Sequence, residues 1–224
     1  MGLFLRYNLF YDVTHDNVYA AYARFYAECR QPLQSSGDEQ FKLTIHETEN
    51  NWVAIDLDSG WERDVRQAAY LFASQLLSCP GFFVYVYDGL HWGYECFDNG
   101  VVLDQFVSDP EPDGVAYCDE FPSCNGNAEL IAACFPHLNS KDISPYLIKK
   151  SSPAPDETPL AYFERKKVLD IPPRPGDEYS RFDPLAVLNF LRMLGVRVEA
   201  RDGYVILLSP QYRSFWGKYQ QDKN

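Results

Sequence analysis

The chain predicts an α+β fold built on a mainly antiparallel sheet, and three observations carry that prediction. From Gly81 to Ser108 the sequence GFFVYVYDGLHWGYECFDNGVVLDQFVS reads as three strands joined by Asp88-Gly89 and Asn99-Gly100. Both dipeptides suit type I′ turns, which need positive φ at their central residues. Upstream, alternating and helical patterns succeed one another as β-α-β-β-α-β, the ferredoxin-like split β-α-β order, which the two further strands of the meander extend at one edge. The expected spatial order of strands is sixth, fifth, fourth, first, third, second. Downstream of residue 183, a capped apolar helix and a hairpin form a C-terminal region.

Each element has its own signal. Leu3 to Phe10 alternates as a strand. Thr14 is placed to cap a helix whose Val18, Tyr22, Phe25, Tyr26 and Cys29 recur at helical spacing until Gln31-Pro32 stops it. Phe41, Leu43 and Ile45 alternate, as do Val53, Ile55 and Leu57, around a turn at Glu49-Asn50-Asn51. Ser59 and Glu62 form an S-x-x-E capping box, in which each side chain satisfies an orphan amide at the other's end. The helix that follows carries Trp61, Val65, Ala68, Ala69, Phe72 and Leu76 as its apolar stripe and ends near Cys79-Pro80-Gly81.

If Asp88-Gly89 is a two-residue loop, Tyr87 faces Leu90, Tyr85 faces Trp92 and Phe83 faces Tyr94. Phe83, Tyr85, Trp92 and Tyr94 then share one aromatic face, expected to pack on the two N-terminal helices. Across Asn99-Gly100 the same register sets Cys96 against Leu103, Tyr94 against Gln105 and Trp92 against Val107, and turns Glu95 and Asp104 to the exposed face.

Beyond an acidic, proline-containing loop, Asn127 opens a short helix with Leu130, Ile131 and Cys134, and a second short helix follows Ser140. SSPAPDETP, from Ser151 to Pro159, reads as a linker, AYFERKKVL as a charged strand, and IPPRPG from Ile171 as irregular. Asp183-Pro184 is expected to cap a helix striped by Leu185, Leu188, Leu191 and Leu194, with Gly195 ending it. A hairpin of Val196, Val198 and Ala200, the turn Arg201-Asp202-Gly203, and Tyr204 to Leu208 follows. The organisation expected is an acidic α+β domain over residues 1–150 and a linker with helix-hairpin extension over 151–224.

The composition, 46% hydrophobic and 16% aromatic over 224 residues, supplies a core and excludes wholesale disorder. The net charge of −12 is uneven: residues 1–150 carry 22 acidic and 9 basic residues, and residues 151–224 carry 10 and 11. An acidic field of this kind repels nucleic acid and anionic lipid and attracts cations or a basic protein. It also serves solubility alone. No segment has the form of a signal peptide or a membrane span, so a cytoplasmic protein with no membrane partner is expected. Six cysteines spread over helix and strand patterns read as reduced thiols.

Asp109 to Glu120, DPEPDGVAYCDE, has oxygen-bearing side chains at the first, third and fifth positions, glycine at the sixth and glutamate at the twelfth, the spacing of an EF-hand loop. Glu111 in place of a shorter side chain, the stiffening Pro110 and Pro112, and flanks without paired helices favour a solvated acidic loop instead. Cys118, Cys124, Cys134 and His137 could ligate zinc, although the first two cysteines are spaced more widely than in structural zinc sites. No cofactor or metal is therefore expected. His15, His46, His91 and His137 read as ordinary surface or hydrogen-bonded residues, no nucleophile elbow accompanies any cysteine, and phosphate-binding glycine loops are lacking. Arg165-Lys166-Lys167 is a short basic cluster that gives no ground for a nucleic-acid partner.

The sequence of Asp88-Gly89, Tyr94, Asn99-Gly100, Asp104 and Phe106 leading into Ser108-Asp109-Pro110 resembles a segment of uncharacterised bacterial α+β proteins. That resemblance implies no activity for any residue. Two readings of function stand side by side. In one, the chain is a non-catalytic protein, analogous in charge and size to immunity proteins of bacterial toxin systems. It would offer an acidic surface to a basic partner, with Asp109, Glu111, Asp113 and Glu120 as charges and Tyr117 and Trp216 as anchors. In the other, the loop from 109 to 127 assembles an enzyme or metal site over the sheet.

Overall fold

Alternation of inward side chains along one strand organises the molecule. In a computed structural model of the chain, β1 (Leu5–Tyr11) sends Leu5, Tyr7 and Leu9 to one face of the sheet and Phe10 to the other. The structure describes residues 5–28, 41–47, 50–57, 63–109, 124–150, 156–201, 204–207 and 211–217. After β1 come α1 (His15–Glu28), β2 (Phe41–Glu47), β3 (Trp52–Leu57), α2 (Arg63–Leu77), β4 (Gly81–Tyr87), β5 (His91–Asp98) and β6 (Val101–Val107). The remaining elements are α3 (Ala128–Cys134), α4 (Ser140–Ile143), α5 (Pro159–Leu169), α6 (Ala186–Met193), β7 (Val198–Arg201), β8 (Tyr204–Leu207) and β9 (Gln211–Gly217).

The main sheet is antiparallel, with strand order β6-β5-β4-β1-β3-β2-β9, and β7-β8 form a separate hairpin. Strand β9 pairs along β2 from Gln211 opposite Glu47 to Gly217 opposite Phe41, an edge that sequence patterning missed. Helices α1 and α2 cover one face through Val18, Ala21, Tyr22, Phe25, Ala69 and Tyr70. The other face packs on Ile131 of α3, Phe135 just after it, Ile143 of α4 and the buried side of α6. Each face thus carries a buried apolar cluster, and each fully buried large apolar side chain contributes about 1.5 to 3 kcal/mol.

The first hairpin corrects the predicted register. Asp88 and Gly89 both have positive φ, at 48° and 65°, but the loop holds a third residue, and Tyr87 pairs with His91. The Leu90 N–H closes the turn on the Tyr87 carbonyl at 2.9 Å. One extra residue slips the pairing, so Val86 faces Trp92, Val84 faces Tyr94 and Phe83 faces Glu95. Trp92 and Tyr94 therefore face α6, while Phe83 and Tyr85 face the N-terminal helices. In the second hairpin Asn99-Gly100 does form a two-residue turn, with Asp98 opposite Val101. A bulge between Cys96 and Phe97 then shifts the register, setting Cys96 against Asp104 and Tyr94 against Phe106.

Other boundaries move for local reasons. AYFERKKVL is helical, not a strand: Thr158 Oγ1 accepts the Ala161 N–H at 3.3 Å and Pro159 stands in the first turn. None of its residues is buried, and Leu160 and Phe163 are 71% and 64% exposed. On α2 the buried residues are Arg66, Ala69, Tyr70, Ala73 and Ser74, while Ala68 and Leu76 are exposed. The capping box at Ser59 and Glu62, and Trp61, lie outside the described residues. Asp183 makes a turn before α6: its Oδ1 accepts the Leu185 N–H at 2.8 Å and its carbonyl accepts the Ala186 N–H at 2.9 Å. Gly195, at φ 90°, follows α6 as expected.

Candidate functional site

The acidic loop is anchored at both feet. On the outgoing side the Ser108 N–H donates to the Trp92 carbonyl at 2.9 Å and Ser108 Oγ accepts the Trp92 N–H at 3.1 Å, which carries β5-β6 pairing one residue further. Lys150 then clasps this foot twice. Its N–H donates to the Ser108 carbonyl at 2.7 Å, and its ammonium pairs with Asp109 Oδ2 at 2.8 Å.

On the returning side the Val107 N–H donates to the Cys124 carbonyl at 3.3 Å, Asn125 bridges to Phe106, and the Gly126 N–H donates to the Gln105 carbonyl at 2.9 Å. Gly126 has φ 71°, and a Cβ there would lie 2.7 Å from the Tyr94 hydroxyl. Asp104 Oδ2 accepts both the Tyr94 hydroxyl at 2.7 Å and the Asn127 N–H at 2.8 Å. Asn127 in turn caps α3 by accepting the N–H groups of Glu129 and Leu130, each at 3.1 Å.

His91, at the start of β5, is buried beside the outgoing foot. Burial pulls its imidazole below the ordinary 6.5, against the opposing pull of the Asp109 carboxylate. Its ring stacks on Tyr87 at 5.6 Å and meets Tyr85 edge-on at 6.2 Å. The row continues inward through Phe83 to Tyr70. Gly93 makes room for it, since a Cβ there would lie 2.6 Å from the Tyr85 hydroxyl oxygen. At the inner end the Glu95 carboxylate accepts the Tyr70 hydroxyl and, at 3.0 Å, the Gln67 amide. Burial first, and Glu95 second, hold the Tyr70 phenol protonated far above its usual range. Arg66 lies over the Phe83 ring, 5.6 Å from its centroid.

These positions revise several expectations. Asp109 is only 7% exposed and neutralised by Lys150, so it anchors the loop and is not part of a free acidic surface. Glu95 and Asp104 likewise do not share an exposed face: Glu95 is buried under α2, and Asp104 binds Tyr94 and Asn127 on the opposite side. Glu111, Asp113, Tyr117 and Glu120 lie outside the described residues, as does the EF-hand pattern beyond Asp109. Trp216 falls on β9 opposite Lys42.

The four proposed zinc ligands separate as far as they are described. Cys134 closes α3, His137 stacks on Tyr11 at 4.7 Å, and Cys124 is buried at the returning foot. Cys118 lies outside the described residues. Among the described residues no group of three or more histidine, cysteine or acidic side chains is placed to hold a metal ion, and no helix is long and apolar enough to cross a membrane. Sequence reasoning missed Lys150, whose contact with Asp109 spans 41 positions and has no local signature. Chemically, the arrangement fixes a short acidic segment at both ends and places a neutral imidazole beside its root.

No protein-family model, curated protein or solved structure matches this chain.

Proposed function

We propose that the chain is a non-catalytic binding protein that presents the acidic segment between Asp109 and Glu120 to a basic protein partner, in the manner of an immunity protein. The observation that carries this reading is the pair of anchored feet. Lys150 and Trp92 hold the outgoing end, and Gln105, Phe106 and Val107 hold the return. Between them the sequence places Glu111, Asp113, Asp119 and Glu120 with no basic residue. A charged segment tethered to a rigid sheet loses less conformational freedom on binding than a free one, and its field steers a cationic partner. We read the first four strands and two helices as the ferredoxin-like unit of this scaffold, with β5, β6 and β9 added at its edges.

The test is affinity capture from cells of the source organism with the wild-type chain and with a Glu111→Lys, Asp113→Lys, Glu120→Lys variant as baits. Wild type is expected to retain a basic protein that the variant loses. Identical proteins on both baits contradict the reading. The alternative, an enzyme whose site lies in the 109–127 region, draws on the buried His91 beside Asp109. It would be favoured if His91→Gln abolished a turnover that the triple variant kept.

A further inference from the structure

Helix α5, which takes no part in the acidic segment, turns large apolar side chains to solvent. Leu160, Phe163 and Val168 are 71%, 64% and 69% exposed, and Ile171, just past the end of the helix, is 48% exposed. The opposite side of the helix is held. Tyr162, Arg165, Lys166 and Leu169 are partly covered and fall together at helical spacing, with Arg165 paired to Glu157 at 2.7 Å and lying over the Tyr162 ring. Arg181 fixes the C-terminal end: its guanidinium donates to the Leu169 carbonyl at 3.4 Å and its backbone N–H to the Ile171 carbonyl at 3.1 Å. The fold therefore decides which side α5 presents outward.

That outward side reads alike in both directions. Phe163 stands two positions before Arg165 and Val168 two after Lys166, Glu164 stands one before and Lys167 one after, and Leu160 and Ile171 each stand five away. The exposed apolar positions are thus symmetric about the middle of the helix, and the two exposed charges at equivalent positions are opposite in sign.

We propose that α5 is the contact of a two-fold dimer, in which it packs antiparallel on α5 of a second copy of the chain. Phe163 then meets Val168 of the second copy, Leu160 meets its Ile171 and Glu164 pairs with its Lys167, each contact occurring twice. A face complementary to itself in both apolar positions and charge needs no foreign surface. Residues 151–224 carry 10 acidic and 11 basic residues, so the two copies meet away from the excess acidity of residues 1–150. The pairing also covers an 11-residue helix, a length that is marginal alone in water. One helix from each copy makes a small interface, so the dimer is expected to dissociate on dilution.

The test is sedimentation velocity of the full chain over a range of concentrations, for wild type, Phe163→Glu, Glu164→Lys and Lys167→Glu, with circular dichroism to confirm that each is folded. Wild type is expected to dimerise as concentration rises. Each variant should raise the dissociation constant about tenfold or more, Phe163→Glu by losing apolar contact and the other two by setting like charges across the axis. An equal mixture of Glu164→Lys and Lys167→Glu should recover the dimer, because each copy then offers the charge that the other lacks, whereas a helix merely weakened by the substitutions would not be rescued. A wild type that stays monomeric, single variants that dimerise as wild type does, or a mixture no tighter than its components overturns the assignment.

Discussion

The indole N–H of Trp52 donates to the carbonyl of Leu194 at 2.7 Å, binding β3 to the end of α6 across 142 positions of sequence. Beside it, the Asn50 side chain donates to the Gly195 carbonyl at 3.1 Å. The segment after residue 150 therefore supplies part of the wall of the main core, and Trp52, Leu188, Phe190 and Leu191 belong to one cluster.

Trp52→Phe should cost about 1 to 3 kcal/mol from the hydrogen bond alone, because the buried Leu194 carbonyl loses its donor. Gly195→Ala should cost about 1 to 2 kcal/mol, since a left-handed backbone is paired there with a Cβ 2.8 Å from Asn50 Nδ2. Urea denaturation checks both. Unchanged midpoints would remove this junction from the stability of the fold.

The corrected register predicts which residues couple. Trp92 lies 5.3 Å from Phe190, centroid to centroid, whereas Phe83 stacks on Tyr70 on the other face. Trp92→Ala and Phe190→Ala should each cost about 3 to 5 kcal/mol and be non-additive in a double-mutant cycle, while Trp92→Ala and Phe83→Ala should add. Coupling of Trp92 to Phe83 instead of Phe190 would restore the two-residue loop.

How much of this was legible follows from where the signals are local. The strands β1 to β6 and the helices α1, α2 and α6 follow from alternation, helical stripes and turn dipeptides, which act within a few residues, whereas the β9 edge does not. Register does not, because Leu90 and the Cys96-Phe97 bulge each add an irregularity that the turn dipeptides do not encode. Helix α5 shows no core-facing stripe because nothing in it is buried, so its one usable signal was Thr158-Pro159. The loop's anchors were invisible for a third reason: Asp109–Lys150 and Tyr94–Asp104 are contacts made by the finished sheet.

Alkaline pH should unfold the protein cooperatively. Burial is the main cause that raises Tyr7, Tyr22, Tyr70 and Tyr94 above the usual 10.0, so the folded state favours the protonated phenols. Their contribution is complete below 10.0 and is lost as pH climbs toward the folded values. Stability measured by urea at rising pH should fall above about pH 10, and Tyr7→Phe should shallow that fall. A flat profile to pH 11 would contradict their burial.

The root of the acidic loop has its own titration. Because burial lowers His91 below 6.5 while Asp109 opposes the change, the neutral imidazole is favoured in the folded state. The associated stability is present above 6.5 and is lost as pH falls through the lower folded value. NMR titration should place the His91 midpoint below 6.5, and Asp109→Asn should lower it further by removing the nearby carboxylate. A midpoint unmoved by Asp109→Asn would separate His91 from the loop.

The central claim, that the segment between Asp109 and Glu120 recruits a basic partner, is tested most directly by the association rate of the captured protein against ionic strength. Exposed charges are screened beyond about 8 Å at physiological salt, so steering fades as salt rises. The account predicts an association rate that falls roughly tenfold or more from low to physiological salt, and that drops at low salt in the Glu111→Lys, Asp113→Lys, Glu120→Lys variant with a smaller change in dissociation. An association rate indifferent to both salt and the triple substitution would contradict it.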